Sequence, residues 1–339
     1  MDGDPVRPLT RQVVVVSQGA HFITEEATFV QHIGRVAELL RARTSRGTLV
    51  LFHDSVPGVA DCDTRQFARP LETLEEAERL VASRITSMLT LLGEKVTDAD
   101  EAAEVVQHYV TVLRALVERE CEAEISIKPT QLGMDIGNDV AATNLEKILA
   151  TAEEHGQFVW IDMESSDYVD RTLDLYRSAH ARFANTGVCL QSYLYRTAGD
   201  LATLLPIRPS IRLVKGTYAE PPDVAFARKK DVDRSYIELA QTLLDEVRRG
   251  AARAAFATHD ARLFDTIEDE AAERGISRGD LEIQMLYGIG TTRQTEMAAK
   301  GYKVEVLISY GAAWFPWYMR RLAERPANLW FVMRKIFPR

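Results

Sequence analysis

Short apolar runs alternate with amphipathic stretches from about residue 85 onward in this chain of 339 residues. Eight runs have the length and composition of buried strands: 88–92, 124–128, 158–163, 187–194, 211–215, 253–257, 281–285 and 304–308. Eight segments with helical periodicity follow them: 98–118, 140–155, 168–183, 198–205, 232–249, 261–274, 292–300 and 314–325. This order predicts a (β/α)8 barrel. A doubly wound sheet is the alternative, but an unbroken series of eight units favours closure into a barrel.

Capping residues agree with these boundaries. Thr97, followed by Asp100, predicts the start of the first long helix, and Asp260 predicts the start of the helix after the sixth strand. Glycines predict four helix ends, at Gly156, Gly250, Gly275 and Gly301. The first 70 residues lack the alternation, so we expect an N-terminal arm over 1–70 and the barrel over 71–339.

Composition narrows the class of protein. The net charge of −9 argues against a nucleic-acid-binding surface. The sequence contains no run of about eighteen apolar residues, so we expect no membrane-spanning helix. The N-terminus is acidic and contains prolines, unlike a signal or transit peptide. Cys62, Cys121 and Cys189 are few, far apart and without metal-ligand spacing, which is typical of a reducing compartment. We therefore expect a cytoplasmic protein.

Polar residues cluster where the predicted strands end. The segment Ile211-Arg-Leu-Val-Lys-Gly-Thr-Tyr218 brings Arg212, Lys215 and Gly216 to the C-terminal end of a strand, where barrels bind their ligands. Its cations suit phosphate or an electron-rich ring, and its glycine lets a ligand approach the main chain. Solvated cations at an ordinary strand end are the alternative.

Lys128 and Asp162 lie at the ends of the second and third predicted strands and would form a buried ion pair, which is costly unless it has a function. A surface lysine and a structural carboxylate remain the alternatives. Asp162 and Glu164 are two residues apart and are expected to share one face. His259 lacks companion metal ligands, so a backbone or phosphate contact is favoured over a metal.

Arg320 and Arg321 are adjacent in an aromatic segment that follows the last strand. Neighbouring positions on a helix point about 100° apart and ordinarily do not serve one surface. A tandem pair beside aromatic residues does suit one carboxylate that is bound from two sides. Two solvated arginines on an ordinary helix are the alternative.

Seven segments occur in a fixed order: Ser-Ile-Lys128-Pro-Thr-Gln-Leu-Gly, Ile-Asp162-Met-Glu, Leu-Gln191-Ser-Tyr, Ile-Arg212-Leu-Val-Lys-Gly-Thr-Tyr218, Ala-Thr258-His259-Asp, Glu-Ile-Gln-Met-Leu286-Tyr-Gly288 and Arg320-Arg321-Leu-Ala-Glu324. This series resembles the proline dehydrogenase family, flavin-dependent (β/α)8 enzymes that start proline catabolism. The resemblance runs from about residue 70 to 330, and the first 70 residues show no comparable match.

The resemblance implies a role for each matching position. Arg320 and Arg321 would bind the substrate carboxylate. Lys128 would contact the substrate and pair with Asp162, and Leu286 would wall the substrate pocket.

The same resemblance implies FAD as the cofactor. Arg212 would lie by the flavin N5 and tune its affinity for hydride. The remaining contacts to FAD would come from Met163, Gln191, Lys215, Gly216, Thr217, Thr258 and His259, with Arg228 and Lys229 near its adenosine half. Lys215 would lie on the pyrophosphate side. No glycine-rich dinucleotide motif opens a βαβ unit, and a flavin barrel does not need one.

Two positions depart from the pattern of the family. It usually reads Tyr-x-Pro-Tyr-Gly at strand eight, where this chain reads Leu307-Ile-Ser-Tyr-Gly311. Three residues before the tandem arginines the usual tyrosine is Trp317. Both positions line the substrate site in the family, so we expect altered pocket volume and hydrogen bonding there.

The resemblance implies oxidation of L-proline to Δ1-pyrroline-5-carboxylate, with electrons passing from FAD to a quinone and pyrroline-5-carboxylate dehydrogenase as a functional partner. A flavoenzyme acting on a hydroxylated or N-substituted proline is one alternative, and a non-catalytic flavin-binding paralogue is another. A Schiff-base lyase using Lys128 would also suit a barrel, but it leaves Gln191 and the other cations without a role.

The C-terminal stretch 329–339 is amphipathic and rich in aromatic residues. Packing against the barrel is favoured for this stretch because it is short and the protein is acidic. Weak peripheral contact with the inner face of the membrane, where a quinone would be met, is the alternative.

Overall fold

The computed structural model describes residues 70–311, in which parallel strands close a barrel in the order β1 to β8. The strands are β1 Ile85–Leu91, β2 Ala123–Ile127, β3 Val159–Ile161, β4 Thr186–Gln191, β5 Ser210–Val214, β6 Arg253–Ala257, β7 Glu282–Leu286 and β8 Lys303–Tyr310. Closure comes from β1 pairing with β8, in a register that runs from Ile85 opposite Val304 to Leu91 opposite Tyr310. The predicted (β/α)8 barrel is confirmed, and the doubly wound sheet is wrong.

The helices of the described range surround the strands. They are α1 Pro70–Val81, α2 Ala99–Glu118, α3 Asn138–Glu154, α4 Val169–His180, α5 Thr197–Leu204, α6 Lys229–Arg248, α7 Ala261–Glu273 and α8 Thr291–Ala299. None of these helices is both long and apolar enough to cross a bilayer. The predicted helix 314–325, the stretch 329–339 and all of the predicted arm except Pro70 lie outside the described residues.

Strands β3 and β4 are shorter than the apolar runs that predicted them. The runs 158–163 and 187–194 continue into loops because the first loop residues, among them Met163 and Leu194, are also buried. Burial alone therefore does not mark the end of a strand at the mouth of a barrel.

Helix α1 is an element that the sequence analysis did not predict. Its sequence is strongly acidic, yet Leu74 and Ala77 lie three residues apart and are buried on one face. The helix precedes β1 and packs against it.

Two helix starts use an aspartate as the cap. Asp98 caps α2, because its carboxylate accepts the backbone N–H groups of Asp100 and Glu101 at 2.9 and 3.0 Å. The predicted cap at Thr97 is therefore wrong by one residue. The prediction for Asp260 is confirmed, since its carboxylate accepts the N–H of Arg262 at 3.2 Å. The four predicted helix-ending glycines all have positive φ, between +64° and +90°.

Alternate residues along each strand face the helices and the lumen. On β8 the outward residues Val304, Val306 and Ile308 are buried under the helices, whereas Glu305 between them faces the lumen. Leu307, the next lumen-facing residue, packs against Met88 and its neighbours inside the barrel.

Charged side chains close the N-terminal end of the lumen. Glu124, Glu282 and Glu305 come from three strands, and their carboxylate oxygens lie within 4.8 Å of one another. Arg253 donates to Glu124 and Glu282, each at 2.7 Å, and Lys303 donates to Glu282 at 2.7 Å. We call these five residues the lumen floor. Three carboxylates could hold a metal ion, but here two cationic side chains already lie among them.

Glu305 makes the stability of the floor depend on pH. Burial, followed by the charges of Glu124 and Glu282, raises the pKa of Glu305 well above its ordinary value. Its contribution to stability is therefore fully present below the pKa of the unfolded chain and is lost as pH rises toward the folded value. Gln284 donates to Glu305 Oε2 at 2.6 Å, so the proton is expected on the other oxygen.

We expect Glu305→Gln to be more stable than the parent at pH 8, by about 1–3 kcal/mol, the usual cost of an uncompensated buried polar group. The amide is neutral at every pH and has nearly the same shape. Near pH 4 the difference should vanish, because Glu305 itself is then neutral. Urea unfolding measured across this range tests the prediction, and a variant with the same pH dependence as the parent would contradict it.

Candidate active site

Three charged side chains from three strands meet at the mouth of the barrel. Lys128 follows β2, Asp162 follows β3, and Arg212 lies in the middle of β5. The guanidinium of Arg212 donates to Asp162 Oδ1, and Lys128 Nζ lies 3.8 Å from Asp162 Oδ2. Arg212 and Lys128 are only 4 and 7% exposed. The predicted ion pair between Lys128 and Asp162 is present, but the shorter contact of Asp162 is with Arg212.

The environment keeps Arg212 charged. Burial, the largest single influence, tends to lower the pKa of this guanidinium, but Asp162, Cys189 and Glu305 together outweigh it and the pKa is raised overall. A buried cation that cannot lose its proton supplies a constant positive field inside a space of low dielectric constant.

Three residues that the sequence analysis missed hold this guanidinium. Ser126 Oγ accepts from Arg212 at 2.9 Å and donates to Asp162 at 2.8 Å. The sulfur of Met88 lies 2.7 Å from Arg212 Nη1, and the Trp160 ring centroid lies 5.4 Å from its Cζ. Ser126 and Trp160 lie two positions before Lys128 and Asp162, so strand alternation could have identified both.

Asp162 and Glu164 were expected to share one face of a strand. That expectation is wrong, because β3 ends at Ile161 and both residues lie in the loop that follows it. The buried carboxylate of Glu164 instead accepts the backbone N–H of Thr130 at 3.0 Å and the Thr130 hydroxyl at 2.7 Å. Burial raises the pKa of Glu164. Glu164 therefore fastens the loop after β3 to the turn after β2, beside Lys128.

Gln191 ends β4 and is 3% exposed. Its side-chain N–H groups donate to the carbonyl oxygens of Met163 and Glu164, both at 3.3 Å. Its Oε1 has no hydrogen-bond partner among residues 70–311. A buried amide oxygen needs a donor, and a flavin ring carries N–H groups, so this residue fits a flavin.

Two lysines and two aspartates form a network on the other side of the mouth. Lys215 Nζ donates to Asp233 at 2.7 Å and to Asp260 at 3.2 Å. Lys229 Nζ contacts the same two carboxylates and lies 2.9 Å from Asp260. Burial raises the pKa of each aspartate, but the lysines outweigh it, so both pKa values are lowered. Two adjacent cations of this kind suit a diphosphate.

Gly216, directly after Lys215, has φ of +111°, a region that favours glycine. A Cβ at this position would lie 2.3 Å from the ring of Tyr193. The backbone of the loop after β5 is therefore pressed against the loop after β4, which holds Lys215 close to Gln191.

The other predicted site residues lie around the mouth. Thr258 Oγ1 accepts the N–H of Asp260 at 3.0 Å, and His259 Nε2 accepts the N–H of Leu286 at 3.0 Å. The expected backbone contact of His259 is thus present. Leu286 is 44% exposed, as a residue facing an open cleft would be.

Arg228 precedes α6 and donates to Asp231 at 2.7 Å, and Thr217 is exposed in the loop after β5. Leu307 lies inside the lumen beside Met88. Trp317, Arg320 and Arg321 lie outside the described residues.

This arrangement places a buried guanidinium, a buried lysine and an amide oxygen without a partner on one side of the mouth, and a pair of lysines on the other. It can bind an elongated anionic cofactor along one side of the mouth. It can also stabilise negative charge that develops on an adjacent ring.

The sequence matches a family model described as proline dehydrogenase over residues 73–334. "Proline dehydrogenase 1" of Bacillus subtilis subsp. natto is 36% identical over 269 residues, which cover 78% of this chain and 88% of that protein. "Proline dehydrogenase" of Deinococcus radiodurans is 36% identical over 266 residues, 77% of this chain and 84% of that protein.

The fold is similar to that of proline utilization A from Bdellovibrio bacteriovorus, a crystal structure of the protein inactivated by N-propargylglycine. The TM-score is 0.70 at 21% sequence identity, and the match covers 76% of this chain. This chain spans about a third (32%) of the length of that protein. The likeness bears on the fold alone.

Proposed function

Because this chain belongs to the proline dehydrogenase family, we propose that it oxidises L-proline to Δ1-pyrroline-5-carboxylate with FAD as its cofactor. The observation that carries the proposal is the buried cluster of Lys128, Asp162 and Arg212 at the mouth of the barrel. When bound, FAD supplies the chemistry that this cluster lacks, namely acceptance of a hydride from carbon.

Lys128 is proposed to prepare the substrate. The amine must be neutral before it can be oxidised, and a second cation nearby disfavours the protonated amine. The 3.8 Å separation of Lys128 from Asp162 is loose compared with the guanidinium contact, so Lys128 can turn toward a substrate at little cost. Asp162 then remains paired with Arg212.

Arg212 is proposed to act by its fixed charge. Asp162, Ser126 and Met88 hold the guanidinium in place, so no reorganisation is needed when negative charge develops on the cofactor. Preorganised charge of this kind acts most strongly in a water-poor space, and Arg212 is buried.

FAD is proposed to lie along the mouth from Gln191 to the lysine pair. The unsatisfied oxygen of Gln191 would receive an N–H of the flavin, and Lys215 and Lys229 would bind the diphosphate or adenosine half. The other proposed contacts are Met163, Arg212, Gly216, Thr217, Arg228, Thr258 and His259.

The proposed substrate contacts complete the site. Arg320 and Arg321 would bind the carboxylate, and Leu286, Leu307 and Trp317 would shape the pocket. Leu307 cannot offer the hydroxyl that the family usually has at this position, which favours a second candidate: oxidation of another cyclic secondary amino acid, such as hydroxyproline or an N-substituted proline.

We also propose a setting for the enzyme. The chain would comprise an arm over 1–70 and a catalytic barrel over 71–339. The electrons would pass to a quinone, and pyrroline-5-carboxylate dehydrogenase would consume the product. The protein would act in the cytoplasm; weak contact with the inner face of the membrane, where a quinone is reached, is the alternative to packing of the stretch 329–339 against the barrel.

We expect the purified full chain to be yellow and its flavin to be bleached by L-proline in the absence of oxygen. Gln191→Leu should weaken FAD binding about ten-fold, as expected for the loss of one buried hydrogen bond. Gln241→Leu is a matched control, because Gln241 bonds Glu270 between α6 and α7, away from the mouth. FAD binding is measured by titration of the apoprotein.

A folded, colourless protein that takes up no FAD would refute the proposal. Bleaching by hydroxyproline or N-methylproline, with no response to proline, would support the second candidate instead.

A further inference from the structure

Trp160 lies between the proposed active site and the lumen floor, and none of its surface is exposed. The Cζ of Arg212 is 5.4 Å from its ring centroid, and the Cζ of Arg253 is 4.9 Å from it. The indole of Trp160 thus contacts Arg212 at the mouth of the barrel and Arg253 in the lumen floor. It is the packing link between the two layers of charge.

The indole is fixed at both its edge and its face. Its Nε1–H donates to Glu124 Oε2 at 2.5 Å. Gly187 on the neighbouring strand leaves the space that the ring fills, since a Cβ there would lie 2.5 Å from Trp160 Cζ3. Sequence and packing therefore allow the ring little freedom to tilt away from Arg212.

These contacts strengthen the attraction between the ring and Arg212. A cation over the face of an indole is attracted by the negative face of the ring, and the attraction grows when water is excluded. Donation of the N–H to a carboxylate shifts electron density into the ring, which increases that attraction further. Glu124 therefore acts on Arg212 through Trp160.

We propose that Trp160 is a positioning residue that sets the place and the field of the Arg212 guanidinium. This inference rests on the proposed function, in which Arg212 lies beside the flavin. Trp160 itself touches neither the proposed substrate nor the proposed cofactor. Its removal should change the reduction potential of the flavin rather than the affinity for the substrate.

The test compares Trp160→Met, which fills most of the space without an aromatic face, with Trp160→Phe, which keeps one. In the holoenzyme Trp160→Met should shift the midpoint potential of the flavin to more negative values. It should also lower kcat about ten-fold while changing KM less than two-fold, with flavin content retained. Trp160→Phe should restore most of kcat and of the potential.

Phe158→Leu is the matched control. Phe158 packs against the Trp160 ring at a centroid distance of 5.1 Å, and the Cζ of Arg253 lies 4.3 Å from its own ring centroid. Within residues 70–311 its ring makes no contact with the guanidinium of Arg212, so this variant removes aromatic packing around Trp160 without removing the ring that contacts Arg212. It should leave the potential unchanged. In an Arg212→Met background, Trp160→Met should produce no further shift, because the cation it positions is gone.

The outcomes separate this inference from the proposed function. A protein that binds no flavin, or whose flavin proline does not reduce, refutes the proposed function. A flavoprotein reduced by proline whose potential is equal in the parent and in Trp160→Met refutes the positioning role alone. If Trp160→Met fails to fold, Glu124→Gln replaces it and should shift the potential in the same direction, and an unchanged potential then overturns the inference.

Discussion

Replacing Arg212 with methionine should lower kcat/KM for proline by two to three orders of magnitude. The change removes the fixed cation and leaves the carboxylate of Asp162 with the hydrogen bond from Ser126 and, as its charged partner, Lys128 at 3.8 Å. Losing one partner of a buried ion pair costs about 3–5 kcal/mol, and each 1.4 kcal/mol corresponds to a factor of ten. Steady-state kinetics measured on variants with equal flavin content test the expectation.

Two further variants sharpen this result. Arg212→Lys keeps the charge but not the planar fork, so it should fall between the parent and Arg212→Met. Arg177→Met removes a surface arginine paired with Asp174 on α4 and should leave the kinetics within two-fold. If Arg212→Met kept more than about a tenth of the parent kcat/KM, the proposed role of this cation would be wrong.

Replacing Arg253 with methionine should destabilise the fold by about 3–5 kcal/mol, the usual cost of removing one partner from a buried charge pair. Arg253 donates to Glu124 and Glu282, and without it Lys303 is the remaining cation of the floor. The loss should grow with pH, because more of the carboxylates are then charged. Urea unfolding at several pH values measures it.

The control for this variant is Arg249→Met, which removes an exposed arginine paired with Glu246 at the end of α6. An exposed pair contributes at most about 1 kcal/mol. Adding Glu305→Gln to Arg253→Met should recover part of the stability at pH 8, since one potential charge is removed. A double variant as unstable as Arg253→Met alone would show that repulsion among the carboxylates is not the cause.

The closed barrel followed from the sequence because local patterns determine it. Each strand is a short apolar run, each helix has its own periodicity, and glycines mark several helix ends. The predicted strand ends are wrong where an apolar run includes both strand residues and buried loop residues. The run 187–194 ends in Tyr193 and Leu194, but only Thr186–Gln191 is strand, because these two loop residues are buried as well.

The sequence predicted which residues lie at the candidate site but not which of them contact one another. Lys128, Asp162 and Arg212 were each expected at the mouth, but the shorter contact of Asp162 with Arg212 joins β3 to β5 across the lumen. Similarly, Asp233 and Asp260 lie far along the chain from Lys215, and nothing in the local sequence indicates that they share it. Such contacts depend on barrel register.

The charges of the lumen floor restrict the order in which its residues can be substituted during the evolution of this family. A lineage that loses Arg253 while keeping its carboxylates would pass through a poorly folded intermediate. A lineage that first replaces Glu305 with a neutral residue would not. The order of substitutions is therefore constrained, and the floor positions are expected to vary together across relatives rather than one at a time.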